Sequence, residues 1–289
     1  WLYPRMGGTP IMRGKVDRMG LRSARDLFAN GNLPMMAAPE GATNGHNEII
    51  SPLEPGISQM GFWCVEDILK AERTEQVLIV PIGIKYQYLQ APWDALEKLL
   101  TQLEIDSGLP VEVENSQLSI PHHSISSGHH SLYRRLFRLS GHLLTRVEEF
   151  YTRFYHQTLP AVTSAELHLP STTEELVSRL QALLNVALKV AEQAFNLQPK
   201  GSLIDRCRRL EQACWDWIYR EDLKNIEALS PLERGLADRI AEEASLRMWH
   251  MRLVESFVAV TGRYVVEKPT AERFAETTLL IWDTMAKIK

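Results

Sequence analysis

Five residues of the 289-residue chain combine types and spacing suited to ligand chemistry: Arg13, Glu40, Gly41, Thr43 and Asn44. Arg13 follows the short apolar run Thr9-Pro10-Ile11-Met12, and Glu40 and Gly41 follow a second such run, Leu33 to Ala38. A guanidinium is a bidentate partner for phosphate. Glu40 would repel phosphate and suits hydroxyls or backbone amides instead. Gly41 and Gly45 let the backbone approach a ligand closely, and Thr43 and Asn44 offer supplementary hydrogen bonds. The set describes a pocket for a phosphate-bearing ligand that also carries a hydroxyl, provided Arg13 and Glu40 share one rim.

The elements needed to place them there are strands that end together. Residues 9–12, 33–38 and 76–86 (QVLIVPIGIKY) are rich in β-formers and read as strands, the last buried on both faces. Residues 18–32 carry Leu21, Ala24, Leu27 and Phe28 on one helical face and stop at Asn30-Gly31. From Gly56, the residues Ile57, Met60, Gly61, Cys64, Val65, Ile68 and Leu69 form one continuous helical stripe. Residues 91–107 read as a further helix. This alternation predicts an α/β fold, a mostly parallel sheet with flanking helices, in which ligands sit at the carboxyl ends of the strands.

Residues 107–131 are rich in Gly, Pro, Ser and His and read as a linker. Beyond them the pattern is helical, with helices expected over 131–158, 172–197, 202–228, 231–261 and 270–287. Thr172-Thr173-Glu174-Glu175 and Ser230-Pro231-Leu232-Glu233 have the form of capped helix starts. The expected organisation is an α/β domain over 1–106, a linker over 107–130 and an α-helical C-terminal domain over 131–289.

A formal net charge of −4 argues against bulk nucleic-acid binding. Three cysteines, two of them seven residues apart in one helical pattern, imply no disulfide framework and suit a reducing compartment. No window approaches the roughly 18 apolar residues of a spanning helix.

In combination the motifs resemble those of the glycerolipid acyltransferases, three of whose four blocks occur here in order. The arginine block resembles PIMRG, with Arg13 at its arginine. The Phe-Pro-Glu-Gly-Thr-Arg block resembles APEGAT, followed by PLEPG, and the last block, an apolar strand ending in Pro, resembles LIVPIGIKY. The resemblance covers roughly residues 5–90, and GRYVVEKPTAERFAE (262–276) is similar to the C-terminal extension of bacterial, especially cyanobacterial, members.

It implies transfer of a fatty acyl group from a coenzyme A or carrier-protein thioester to a glycerol-phosphate or lysophosphatidate hydroxyl. No metal or redox cofactor is implied. The site implied is cytoplasmic, peripheral to the inner face of a membrane. Arg13 would hold the phosphate, Glu40 and Gly41 would shape the acceptor pocket, and Thr43 and Asn44 would add hydrogen bonds.

The chain departs from the pattern at Ala38, where the family has Phe, at Thr43, where it often has Arg, and at Glu54, near its usual Lys. The larger departure is the family's first block, His-x4-Asp, which supplies the general base. None of the nine histidines has Asp five residues on, so the catalytic residue is expected upstream of Trp1. The alternative is a non-catalytic phospholipid-binding or scaffold protein that retains the pocket. A third possibility makes the helical half a partner-binding bundle.

His122, His123, His129 and His130 lack a Cys or acidic partner at metal-ligand spacing, and a solvated loop is the simpler account. The segment 131–156 is amphipathic. Leu132, Leu136, Leu139, Leu143, Val147, Phe150 and Phe154 form its core stripe, and Arg134, Arg135, Arg138 and Arg146 are available to anionic lipid. A bundle helix with a solvated face is again the simpler account. Trp215, Trp217 and Trp249 are expected in helix packing.

Overall fold

In a computed structural model, the described residues are 8, 18–40, 45–50, 53, 55–109, 130–159, 170, 172–219, 228–258 and 263–288. Among them the helices are α1 (Arg18–Asn30), α2 (Gly56–Lys70), α3 (Trp93–Asp106), α4 (His130–Tyr155) and α5 (Thr173–Ala194). They continue with α6 (Leu203–Ile218), α7 (Pro231–Val258), the single turn α8 (Tyr264–Glu267) and α9 (Ala271–Ile288). About 70% of the described residues are helical and none forms a strand.

The expected α/β fold with a mostly parallel sheet is therefore corrected. Residues 33–38 and 76–86 are β-formers in composition, but they make no ladder. Leu33, Met36, Leu78, Val80, Ile82 and Ile84 stand exposed. β-propensity reports fit to a pleated, half-buried surface, and it yields a strand only where a neighbouring backbone takes up the N–H and C=O groups. Residues 9–12, the third expected strand, lie outside the described residues.

Two compact units are present. The first draws on Trp1–Asn44 and Glu48–Lys85, the second on Gly45–Asn47 and Tyr86–Lys289. The helix over 93–106, assigned from sequence to the first domain, belongs to the second unit.

The first unit rests on α1 against α2. Ala29, Cys64 and Ile68 form its small core, with Phe28 and Val77 against them. Gly61 packs closely against Ile79; a Cβ there would meet its Cδ1 at 2.9 Å. Arg25 grips Asp67 with two bonds of 2.5 and 2.6 Å, tying the helices together. The hydrogen bond from Arg25 holds the Asp67 carboxyl below its ordinary range.

The second unit is built on α4, α5, α6 and α7, whose apolar faces share one core including Leu144, Tyr151, Leu183, Leu188, Leu210 and Met251. Cys207 and Cys214 are buried there and form no disulfide with each other. Local sequence sets the helix ends. Thr172 accepts from the Glu175 N–H, and Ser230 and Glu233 exchange side-chain-to-backbone bonds in a capping box, as do Ser202 and Asp205. α3, α5 and α2 each end with the paired bonds of a Schellman motif, with Gly108, Asn196 and Glu72 in the left-handed conformation.

The core stripe expected on α4 holds for Leu132, Leu136 and Leu139, Val147 and Phe150 pack partly buried against the main core, and the fully buried seam moves over. Leu144, Glu148 and Tyr151 are buried in the second half, while Phe154 is exposed. A 3.6-residue repeat drifts around a long helix, so the buried seam changes register. Glu148 is accommodated by Arg179 of α5, whose guanidinium donates to both carboxylate oxygens at 2.6 and 3.3 Å.

Candidate functional site

Of the five expected site residues, Glu40 alone is described. It lies half-buried in a turn of the first unit, directly after Pro39. Arg13, Gly41, Thr43 and Asn44 lie outside the described residues, as do His122, His123 and His129 of the histidine tract. A cleft shared by Arg13 and Glu40 is thus not among the described geometry.

What the structure does place is the downstream end of the same loop. Gly45 has a φ of +73°, a conformation glycine adopts without strain, and it lies against α9, with Leu280 4.0 Å from where a Cβ would stand. Asn47 uses both halves of its carboxamide on one residue. Its oxygen accepts from the Tyr86 N–H at 2.8 Å, and its nitrogen donates to the Tyr86 carbonyl. A side chain thereby satisfies backbone groups that a neighbouring strand would otherwise take, at the end of the LIVPIGIKY run.

His46 meets the buried Tyr264 edge to face, with ring centroids 4.4 Å apart and planes at 71°. Arg273 of α9 lies over the same tyrosine ring at 4.2 Å and donates to the Tyr264 carbonyl at 2.5 Å. The Tyr264 hydroxyl donates to Glu276 at 2.6 Å. Glu272 accepts the Tyr88 N–H at 2.9 Å, across 184 residues of sequence.

The opposite face of α9 is fastened by aromatics. Phe274 is fully buried, 5.3 Å from Tyr133 of α4 and 5.9 Å from Trp93 of α3, centroid to centroid. Burial, with the Glu272 charge beside it, pushes the Tyr133 phenol up to about 12.

The chemical capacity of this cluster follows from its bonding. One guanidinium, one phenol and two carboxylates bond to one another or to backbone, and one imidazole packs on the phenol ring. Such a set holds chain segments in place and presents no activated nucleophile. His46, Asn47, Tyr264 and Arg273 were not singled out from sequence. The one hint was the likeness of residues 262–276 to a family extension.

The arginines considered for lipid contact on α4 are partly accounted for within the protein. Arg135 binds Glu97, Thr101 and Glu104 of α3, and Arg146 pairs with Glu149. Trp215 and Trp249 pack against the main core, and Trp217 lies edge-on to Phe195 at 5.1 Å. Among the described residues no group of His, Cys, Asp and Glu is arranged to hold a metal ion. Also among them, no helix is long and apolar enough to cross a membrane.

No family model, curated protein or solved structure matches the chain.

Proposed function

We propose that the chain belongs to an acyltransferase acting on glycerol-phosphate lipids, with Arg13, Glu40, Gly41, Thr43 and Asn44 contacting the acceptor. With the sheet withdrawn, one observation carries this: PIMRG, APEGAT-PLEPG and LIVPIGIKY occur in order within residues 5–90, with Arg13, Glu40 and Gly41 at the matching positions. The bonding of Asn47 to Tyr86 supports it, because it joins the loop after APEGAT to the end of the LIVPIGIKY run.

Arg13 neutralises and orients the acceptor phosphate. Glu40 accepts from an acceptor hydroxyl, and Thr43 and Asn44 complete the hydrogen bonding. The acceptor hydroxyl attacks the thioester carbonyl. The C–S bond breaks, and the donor thiol departs with the proton that the hydroxyl gives up. The donor is an acyl thioester of coenzyme A or a carrier protein, and no metal is called for. No base for the proton is assigned among residues 1–289. The site works at the cytoplasmic side of a membrane, where acceptor and product reside.

Acceptor binding tests the proposal, since it does not need the base. Titration with 1-acylglycerol-3-phosphate in mixed micelles is expected to saturate, and Arg13→Ala to weaken binding at least tenfold, as loss of a charge-assisted bidentate bond requires. Equal affinity in both proteins would remove the assigned role of Arg13. A His-x4-Asp block upstream of Trp1 would favour the enzyme, and its replacement there, with binding but no turnover, the phospholipid-binding alternative.

A further inference from the structure

The N-terminal half of α7 carries leucines that the core of its own unit does not take up. Leu232, Leu236 and Leu246 are 73%, 58% and 50% exposed. The inward side of the same helix is already committed, with Ala244, Met248, Met251 and Val254 buried. Exposed leucines scattered singly are ordinary, but these stand in register. Leu232, Leu236, Arg239, Glu243 and Leu246 follow one another at alternating steps of four and three. That is the 3.5-residue repeat by which one helix meets another along a narrow seam. The next position of the repeat, His250, is fully buried, so the exposed seam ends where α7 enters the core.

The two charges in the middle of the seam select what can cover it. A parallel copy of α7 would set arginine against arginine and glutamate against glutamate. An antiparallel copy, centred on Ala241, sets Arg239 against Glu243 of the second copy, and Glu243 against its Arg239. The same register stacks Leu236 on Leu246 of the second copy at both ends. The layers then run Leu–Leu, Arg–Glu, Glu–Arg, Leu–Leu, a self-complementary order of the kind a two-fold interface requires. Polar residues inside such a seam cost stability and fix register and orientation.

The flanks fit the same register. Glu233 comes opposite Arg247 of the second copy, and Ile240 opposite its own counterpart. On the other flank Gly235, with open space where a Cβ would stand, comes opposite Trp249 of the second copy. Glu242 approaches its counterpart there, a like-charge contact moderated by Arg239, which pairs with Glu242 of its own helix at 2.6 Å.

We infer that the N-terminal half of α7 is the interface of a homodimer, in which two copies of this chain pair antiparallel about Ala241. The inference does not rest on the acyltransferase reading. The paired stretch, residues 231–246, is about 24 Å long at 1.5 Å per residue. One helix pair of that length is at the small end of specific interfaces, so association is weak and depends on concentration.

Sedimentation equilibrium of the 289-residue chain, from micromolar to submillimolar concentration, tests it. Wild type should pass from one chain per particle to two as concentration rises. Arg239→Glu alone and Glu243→Arg alone should each raise the dissociation constant roughly tenfold or more, because each sets like charges together in the seam. Mixed with each other, these two variants restore both opposite-charge layers and should associate within about threefold of the wild-type constant. Leu236→Ser keeps every charge but removes both leucine layers, and should weaken association by a factor similar to the single reversals. Arg239, Glu243 and Leu236 are all exposed, so urea midpoints should stay near wild type, which separates lost association from lost folding.

A wild-type chain that stays single throughout overturns the dimer, whether another segment of the chain covers the leucines or nothing does. So does a dimer that Leu236→Ser or both charge reversals leave intact. A mixture of the two reversed variants that associates no better than either alone overturns the antiparallel register.

Discussion

The imidazole Nδ1 of His250 lies 2.6 Å from the hydroxyl of Tyr151, ninety-nine residues earlier in the chain. The other ring nitrogen, Nε2, lies 3.0 Å from the Tyr155 hydroxyl, one helical turn further along α4. A neutral imidazole has one donor and one acceptor nitrogen, so one phenol donates to it and the other accepts. Both His250 and Tyr151 are fully buried, between α4 and α7. Burial drives the Tyr151 phenol far above its ordinary range, and burial, helped by the Arg247 charge, brings His250 down to about 4.

Acid should therefore loosen the α4–α7 contact in a defined window. The unfolded histidine takes up a proton near 6.5, whereas the folded one resists until about 4. The contribution of His250 is fully present above pH 6.5 and is lost as pH falls towards 4, by about 3 kcal/mol at the lower end. Urea denaturation of wild type and His250→Phe between pH 4 and 7 isolates it. The difference in stability between the two should change across that window, and a constant difference would contradict the buried neutral imidazole.

The ion pair of Glu148 with Arg179 makes a second prediction. Both side chains are almost wholly buried, and Thr145 accepts a further bond from Arg179 at 2.9 Å. Glu148→Ala removes the closest carboxylate from a buried guanidinium and leaves it Thr145 and, at 3.8 Å, Glu175, and should cost about 3 kcal/mol. The double variant Glu148→Leu/Arg179→Met removes both charges and should cost much less than Glu148→Ala alone. Chemical denaturation of the three proteins checks the ordering.

At the end of α2, Glu72 holds a φ of +55° as the left-handed residue of the Schellman motif, a position where α3 uses Gly108. Its N–H bonds the Leu69 carbonyl and the next N–H bonds that of Ile68. Glu72→Gly keeps both bonds and removes the Cβ clash, and should stabilise the first unit by about 0.5–1 kcal/mol. A lower thermal midpoint for the variant would show that the glutamate side chain makes a compensating contribution.

The exposed apolar run after Glu75 makes a fourth. Ile82 and Ile84 are 75% and 67% exposed. Replacing both with threonine removes little buried area, so stability should change by less than about 0.5 kcal/mol per site. Binding of a hydrophobic dye should fall, because contiguous apolar surface is what such probes report. A large loss of stability would mean that these side chains are packed.

Most of the helical architecture was legible in the residues themselves. Thr172, Ser230 and Pro231 mark helix starts, Asn30-Gly31 marks a stop, and the apolar spacing over 56–70 draws the buried face of α2. Capping and 3.6-residue periodicity are local. They involve groups three or four residues apart, so the sequence alone determines them.

The run 76–86 was misjudged for the opposite reason. Its Val and Ile content states what the chain favours if a partner backbone is beside it, and no propensity says whether one is. The drift of the seam on α4 to Leu144, Glu148 and Tyr151 likewise depended on where Arg179 and His250 came to lie.

The surroundings of the candidate site belong to that second class. Glu40 and the motif order were visible in the chain, because chemistry-bearing residue types can be recognised one stretch at a time. The seat of His46 on Tyr264, the grip of Asn47 on Tyr86 and the bond from Tyr88 to Glu272 were settled only by tertiary structure. Contacts across up to 184 residues form only after the loop-closure entropy between them is overcome by the packing of Phe274 and its neighbours, and no local pattern encodes that balance.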